Sequence, residues 1–173
     1  NIMTRTRVVS LTPEGDKWRI VLENQNGQTE VTSRAIVNAA GPWVDRIDTM
    51  AKPAGRTSNA SHIRLIKGSH LVVPRVAGAN DAYLMQSADK RVVFVLPFEE
   101  RFTIIGTTDV PYTGDPANVT ASKEEEKYLL DLAGQFFKAP LKHSDVVWRY
   151  SGVRPLYDDA SDNPSAASVA IAR

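Results

Sequence analysis

Three short runs of Val, Ile and Thr open the chain, at residues 8–11, 18–23 and 30–37, and turn-forming clusters separate them. Pro13-Glu14-Gly15-Asp16 divides the first two and Asn24-Gln25-Asn26-Gly27 the second pair, so the pattern predicts a three-stranded meander. The third run goes on as Ala35-Ile36-Val37-Asn38-Ala39-Ala40-Gly41, apolar almost throughout. That continuity predicts a strand buried on both faces, joining a mostly parallel sheet. Pro42 suits the first turn of a helix over residues 43–50.

Residues 51–61 lose all periodicity and turn rich in Pro, Gly, Ser and Asn, which predicts a loop. A cluster of apolar runs follows at 63–66, 69–73, 82–86, 92–97 and 102–106, with Ala77-Gly78-Ala79-Asn80-Asp81 and Glu99-Glu100-Arg101 as turns. This spacing predicts an antiparallel sheet. Beyond a Pro/Gly loop at 111–118, Thr120 to Glu124 reads as a cap and acidic first turn of a helix over 122–137, with Tyr128, Leu129, Leu132 and Phe136 on one face. Glu124-Glu125-Glu126-Lys127 reads as the solvated face of that helix. The last strand, 146–150, leads into Tyr150-Ser151-Gly152-Val153-Arg154-Pro155-Leu156. The fold class is therefore α+β. A small meander region spans residues 1–50, an antiparallel sheet with helices on one side spans 51–157, and an Ala/Ser/Asp/Pro-rich tail expected to be flexible spans 158–173. Opening directly on a strand and closing on a tail that packs poorly, the chain is expected to be a piece of something longer.

Composition narrows the chemistry mainly by exclusion. At 173 residues there is material for one full core, and 42% hydrophobic with 24% charged residues matches a soluble globular protein. A net charge of +1 gives no electrostatic case for nucleic acid. With no cysteine, disulfides, thiolate metal sites and a cysteine nucleophile are excluded, which fits a reducing, cytoplasmic compartment. No leader pattern and no apolar run near ~18 residues is present, so neither a signal peptide nor a spanning helix is expected, while peripheral membrane contact stays open. No metal-ligand spacing and no Ser/His/Asp order is found.

Four stretches could carry chemistry, each with a plainer reading beside it. In Tyr150 to Leu156, Gly152 permits close backbone approach and Pro155 favours extended geometry, so Arg154 is expected at a strand end facing open space with a planar fork suited to carboxylate or phosphate. The plainer reading pairs it with Asp158 or Asp159. In Asn38-Ala39-Ala40-Gly41-Pro42-Trp43, small residues between strand and helix admit a flat or phosphorylated ligand, or simply pack tightly. In Arg64-Leu65-Ile66-Lys67-Gly68-Ser69-His70, a turn near Gly68 would bring two cations to an imidazole, a set suited to an anion whose hydroxyl loses a proton. Alternatively His70 is a satisfied core residue and Lys67 lies on a solvated turn. In Ile105-Gly106-Thr107-Thr108-Asp109, hydroxyls and a carboxylate could orient a polyol or cap the strand. His62 and His143 read as peripheral.

Together these four stretches, in this order and spacing over about residues 5–162, resemble the FAD-dependent glycerol-3-phosphate dehydrogenases, within the wider amino-acid-oxidase-like flavoprotein group. The resemblance implies a cofactor domain coupled to an antiparallel substrate domain, oxidation of sn-glycerol 3-phosphate to dihydroxyacetone phosphate, and electrons passed to a membrane quinone. It implies that the meander is a remnant of the FAD-binding domain, with Val8 or Val9 near the adenine and Ala40 and Gly41 near the pyrophosphate or ribose. It gives His70 the role of base and Arg154 that of phosphate clamp, with Thr107 and Asp109 lining the pocket and Arg64 and Lys67 as further substrate contacts. A cytoplasmic protein associated peripherally with the inner face of the membrane is implied for the parent enzyme. The chain departs from the family in lacking Gly-x-Gly-x-x-Gly, the loop that holds the cofactor pyrophosphate. By itself it is expected neither to hold FAD tightly nor to catalyse. The alternatives are an amino- or hydroxy-acid oxidase, with Arg154 on a carboxylate, and a non-catalytic binding module.

Overall fold

The computed structural model describes residues 2–52, 63–88, 90–138 and 140–157. Two compact units divide the chain, Asn1–His62 and Ile63–Arg173.

In the first unit β1 (Arg7–Glu14), β2 (Lys17–Asn24) and β3 (Gly27–Ser33) form the expected meander, each strand antiparallel to the next. Gly15 and Gly27 both take positive φ, +61° and +112°, which is why these positions turn the chain. A bulge interrupts the β1–β2 register between Val8 and Ser10. The buried parallel strand expected at 35–41 does not form. The segment carries no ladder, Val37 is 91% exposed, and every strand pair among the described residues is antiparallel. An apolar run becomes a parallel strand only beside other parallel strands, and the described residues supply none. Asn38 organises the segment locally instead. Its side chain donates to Val44 O at 2.9 Å and Asp48 Oδ1 at 2.7 Å, fixing the entry to a 3-10 turn (Gly41–Trp43) and α1 (Val44–Ala51).

The second unit is a six-stranded antiparallel sheet with one long helix against it. Its centre is β4 (Ile63–Pro74), which pairs along 63–72 with β9 (Trp148–Tyr157). On its other edge β4 pairs with β7 (Phe102–Gly106) and with the two-residue β8 (Val110–Pro111). From β7 the sheet continues to β6 (Val92–Phe98) and β5 (Tyr83–Gln86). Two expectations are corrected. The break near Gly68 is absent, because glycine in the ladder leaves β4 continuous. The last strand runs through Arg154 rather than ending before it; among the described residues β9 pairs only with β4, and such an edge strand tolerates Pro155.

The helix α2 (Lys123–Phe136) starts within the cap and acidic turn expected at Thr120 to Glu124, with a capping box beyond that expectation: Ser122 accepts from the Glu125 amide and the Glu125 carboxylate from the Ser122 amide. Leu129, Leu130, Leu132 and Ala133 pack on Leu71, Val73, Met85, Val93, Val95 and Ile105 to form the core. Phe136, expected on that face, is 54% exposed. Past the end of the helix Phe137 takes its place, packing against the core and meeting Tyr83 edge-on at 5.6 Å. No helix among the described residues is long and apolar enough to cross a membrane. The expected flexible tail at 158–173, most of the 51–61 loop, and His62 lie outside the described residues.

Candidate functional site

Alternation along a strand divides the sheet into two chemically distinct faces. On β4 the residues Lys67, Ser69, Leu71 and Val73 point towards α2, and Arg64, Ile66, Gly68, His70 and Val72 point away. Directly paired residues share a face. Tyr150 opposite His70, Gly152 opposite Gly68, Arg154 opposite Ile66, and Gly106 of β7 opposite His70 therefore all stand on the side away from the helix.

His70 and Arg154 approach each other there over bare backbone. The imidazole stacks on the Tyr150 ring, with centroids 4.7 Å apart and planes 2° from parallel. It lies across Gly106, where a Cβ would sit 2.7 Å from His70 Cγ and 3.0 Å from the Ser69 carbonyl oxygen. Arg154 Nη2 donates to Thr108 O at 3.4 Å and pairs with Asp109 Oδ1. The same nitrogen would lie 3.3 Å from a Cβ on Gly68, so the guanidinium folds back along the sheet in the direction of His70. Thr107 Oγ1 overlies Gly68 as well and donates to Thr108 O at 3.0 Å. Above Gly152 there is no atom within 4 Å of a Cβ position. The result is a floor of three glycines, with the imidazole over Gly106, the guanidinium and Thr107 over Gly68, and Gly152 left uncovered by the described residues. Arg154 is half exposed and pairs with Asp109, while Asp158 and Asp159 lie outside the described residues.

Burial of the ring, with the positive charge of Arg154 adding to it, holds the His70 imidazole below its ordinary value. It is therefore neutral near pH 7 and able to accept a proton.

The structure separates the remaining candidates. Arg64 shares the His70 face but stands six residues away along β4, roughly 20 Å at ~3.3 Å per residue. Lys67 points to the helix side, where Nζ meets Glu125 Oε2 at 2.6 Å and Thr120 O at 3.2 Å. It is thus neither on a solvated turn nor on the His70 face. In the first unit Val8 and Val9 are half-buried on β1 at its bulge. Ala40 and Gly41 begin the 3-10 turn that leads into α1. This start has no side-chain cap, Gly41 has φ +54°, and nothing lies within 4 Å of its Cβ position. An uncapped helix start beside an open glycine fits the approach of a phosphate or ribose, the part of a dinucleotide these residues could hold.

Glu125 and Glu126, read from the sequence as solvated, are 5% and 3% exposed. Glu126 meets His143 Nδ1 at 2.6 Å and Arg149 Nε at 3.5 Å, so His143, on an exposed 3-10 turn as expected, has a buried partner. Glu125 Oε1 accepts from Ser69 Oγ at 2.9 Å and Thr108 Oγ1 at 2.7 Å, and Oε2 accepts from the Ser122 amide at 2.8 Å. Burial pushes this carboxyl up, but Lys67, the Ser122 amide, Thr108 and Ser69 together hold it below the usual carboxylate value. The signal was present in β4: Lys67 and Ser69 share the register of Leu71 and Val73, and polar residues in a core register demand polar partners.

The profile of the DAO family, FAD dependent oxidoreductase, matches residues 1–169. The chain is 46% identical over 169 residues to the aerobic glycerol-3-phosphate dehydrogenase of Escherichia coli, covering 95% of this chain and 33% of that protein. It is 43% identical over 171 residues to the D-erythritol 1-phosphate dehydrogenase of Brucella abortus, covering 96% of this chain and 33% of that one. Among solved structures it matches the glycerol-3-phosphate dehydrogenase of Bacillus halodurans complexed with FAD, with TM-score 0.77 and 30% identity over 87% of this chain and 31% of that chain. The chain thus spans about a third of the length of these relatives.

Proposed function

The chain belongs to the FAD-dependent oxidoreductase family, and from that premise we propose that it carries the substrate-holding sheet of an enzyme oxidising sn-glycerol 3-phosphate to dihydroxyacetone phosphate. The observation that carries this reading is the pair His70 and Arg154 flanking the glycine floor on one sheet face. A phosphorylated polyol needs an anion clamp at one end and a proton acceptor at the carbinol. Arg154 offers the clamp, oriented by Asp109, and its fork matches phosphate oxygens. His70, neutral and fixed by Tyr150, takes the hydroxyl proton as the carbinol carbon gives up its hydrogen with the bonding electrons. The flavin, when bound, supplies the hydride acceptor. Residues 1–50 contribute to the cofactor domain in this reading, and the electrons pass on to a membrane quinone on the cytoplasmic face.

The test is anaerobic mixing of the flavin-loaded enzyme that carries this chain with glycerol 3-phosphate, erythritol 1-phosphate, and a panel of amino and hydroxy acids. Bleaching of flavin absorbance by the polyol phosphates alone is expected. Bleaching by an amino or hydroxy acid and not by these would place a carboxylate on Arg154 and sink the proposal.

The floor makes a prediction of its own. Gly152→Ala adds a methyl with no atom of the described residues within 4 Å, so the melting temperature should stay within a degree or two of the parent. The methyl would occupy substrate space, where one such group commands ~1–3 kcal/mol, so KM for glycerol 3-phosphate should rise about tenfold or more. An unchanged KM would mean that substrate does not cross Gly152.

A further inference from the structure

We infer that Glu125 is a positioning residue that sets the distance between His70 and Arg154 from beneath the sheet, an inference that rests on the functional reading above. Its carboxylate is buried on the helix side, yet it reaches three separate segments that carry the site, two of them directly and the third through Ser69. Ser69, which donates its hydroxyl to Oε1 at 2.9 Å, precedes His70 on β4. Thr108, which donates at 2.7 Å to the same oxygen, lies between Thr107 and Asp109, and its carbonyl accepts from Arg154. Ser151, between Tyr150 and Gly152 on β9, is joined through the Ser69 hydroxyl at 2.8 Å. Because neighbours on a strand face opposite ways, a residue anchored below fixes the backbone of the one standing above.

The cross-links close on themselves. The Ser69 amide donates to Thr108 Oγ1 at 2.9 Å and the Thr108 amide to Ser69 O at 3.3 Å, so β4 and the segment after β7 are tied by side chain and backbone together. Glu125 is itself held by the cap at Ser122 and by Lys67. The helix start thereby becomes the fixed point from which three polar anchors are measured. A purely apolar contact would bury area just as well but would not fix register to fractions of an ångström, whereas misplacement by about 1 Å can cost catalysis roughly a hundredfold.

The test separates positioning from stability. Lys67→Met combined with Glu125→Leu leaves no unpaired buried charge, but it strands the Ser69 and Thr108 hydroxyls and the Ser122 amide, so the melting temperature should fall while the enzyme carrying this chain keeps its flavin content. The double variant should lower kcat/KM for glycerol 3-phosphate about 10- to 100-fold and move the His70 titration followed by NMR. A second variant, Ser151→Ala, removes a single anchor with almost no change of volume and is expected to lower kcat/KM by a smaller factor, about threefold or more. Parental kcat/KM and an unmoved His70 titration in both variants overturn the inference. If the double variant fails to fold, the same two readouts on Ser151→Ala decide it. Should the parent enzyme bleach with no polyol phosphate, the functional reading fails by itself, and the His70 titration still shows whether Glu125 sets the imidazole's surroundings.

Discussion

His70→Ala in the flavin-loaded enzyme is expected to lower kcat for glycerol 3-phosphate by about 10²- to 10⁴-fold, the range a lost general base commands, with KM changed far less. Arg154→Ala should do the reverse and raise KM by about 10- to 100-fold, since each hydrogen bond to a charged group contributes ~1.5–3 kcal/mol. The asymmetry follows from the geometry. His70 is held by a ring stack and a glycine beneath it, which fixes its direction, while Arg154 is half exposed and tethered by one carboxylate and one carbonyl. Steady-state kinetics with unchanged kcat and KM in both variants would refute the assignment.

The pH dependence gives the same assignment a second signature. A base works when neutral, so kcat/KM should rise as pH increases through the His70 pKa and level off above it. Burial and Arg154 both hold that pKa below the ordinary histidine value, so the parent should already be on its plateau near pH 7. Arg154→Ala removes the positive neighbour, and the acid limb of its profile should then move to higher pH. A limb that stays in place would mean that the group titrating is not His70.

Much of this arrangement was legible in the sequence, for reasons that also mark the limit. The meander, the antiparallel sheet and the capped helix follow from turn residues and from the cap and acidic turn at Thr120 to Glu124, which act over a few residues. His70, Arg154, Thr107 and Asp109 stood out because glycines lie near them in the sequence, and the structure places two of those glycines, Gly106 and Gly68, beneath the ring and the guanidinium. What failed depended on distant partners. Ala35 to Gly41 has the composition of a buried strand but finds no parallel neighbour among the described residues. Glu125 sits in a run that looks solvated because its partners lie 56 and 17 residues away, at Ser69 and Thr108. Lys67 fails for a related reason: its convergence with His70 needed a turn near Gly68, and the uninterrupted strand sends odd and even residues to opposite faces instead.

That buried pair sets the second large effect, which concerns stability. Lys67→Met leaves the Glu125 carboxylate buried without its cation, and breaking such a pair from one side costs about 3–5 kcal/mol. The melting temperature of the enzyme carrying this chain should fall by on the order of 10 °C near neutral pH. The sign of the pH dependence tests the cause. In the parent, Glu125 titrates below the ordinary carboxylate value in the folded state, so it adds stability that is present above the unfolded pKa and lost as pH falls through the folded one. Without Lys67 the desolvation that already opposes ionisation weighs more heavily against the remaining hydrogen bonds, and the folded pKa moves up. The penalty in the variant is then largest above that raised pKa and is relieved as the carboxyl protonates. Thermal unfolding of parent and variant should therefore show a wide gap at about pH 7.5 that narrows towards about pH 4.5. A gap of constant width across that range would mean that the damage is lost packing of the lysine stem, and that the charge on Glu125 is not what Lys67 balances.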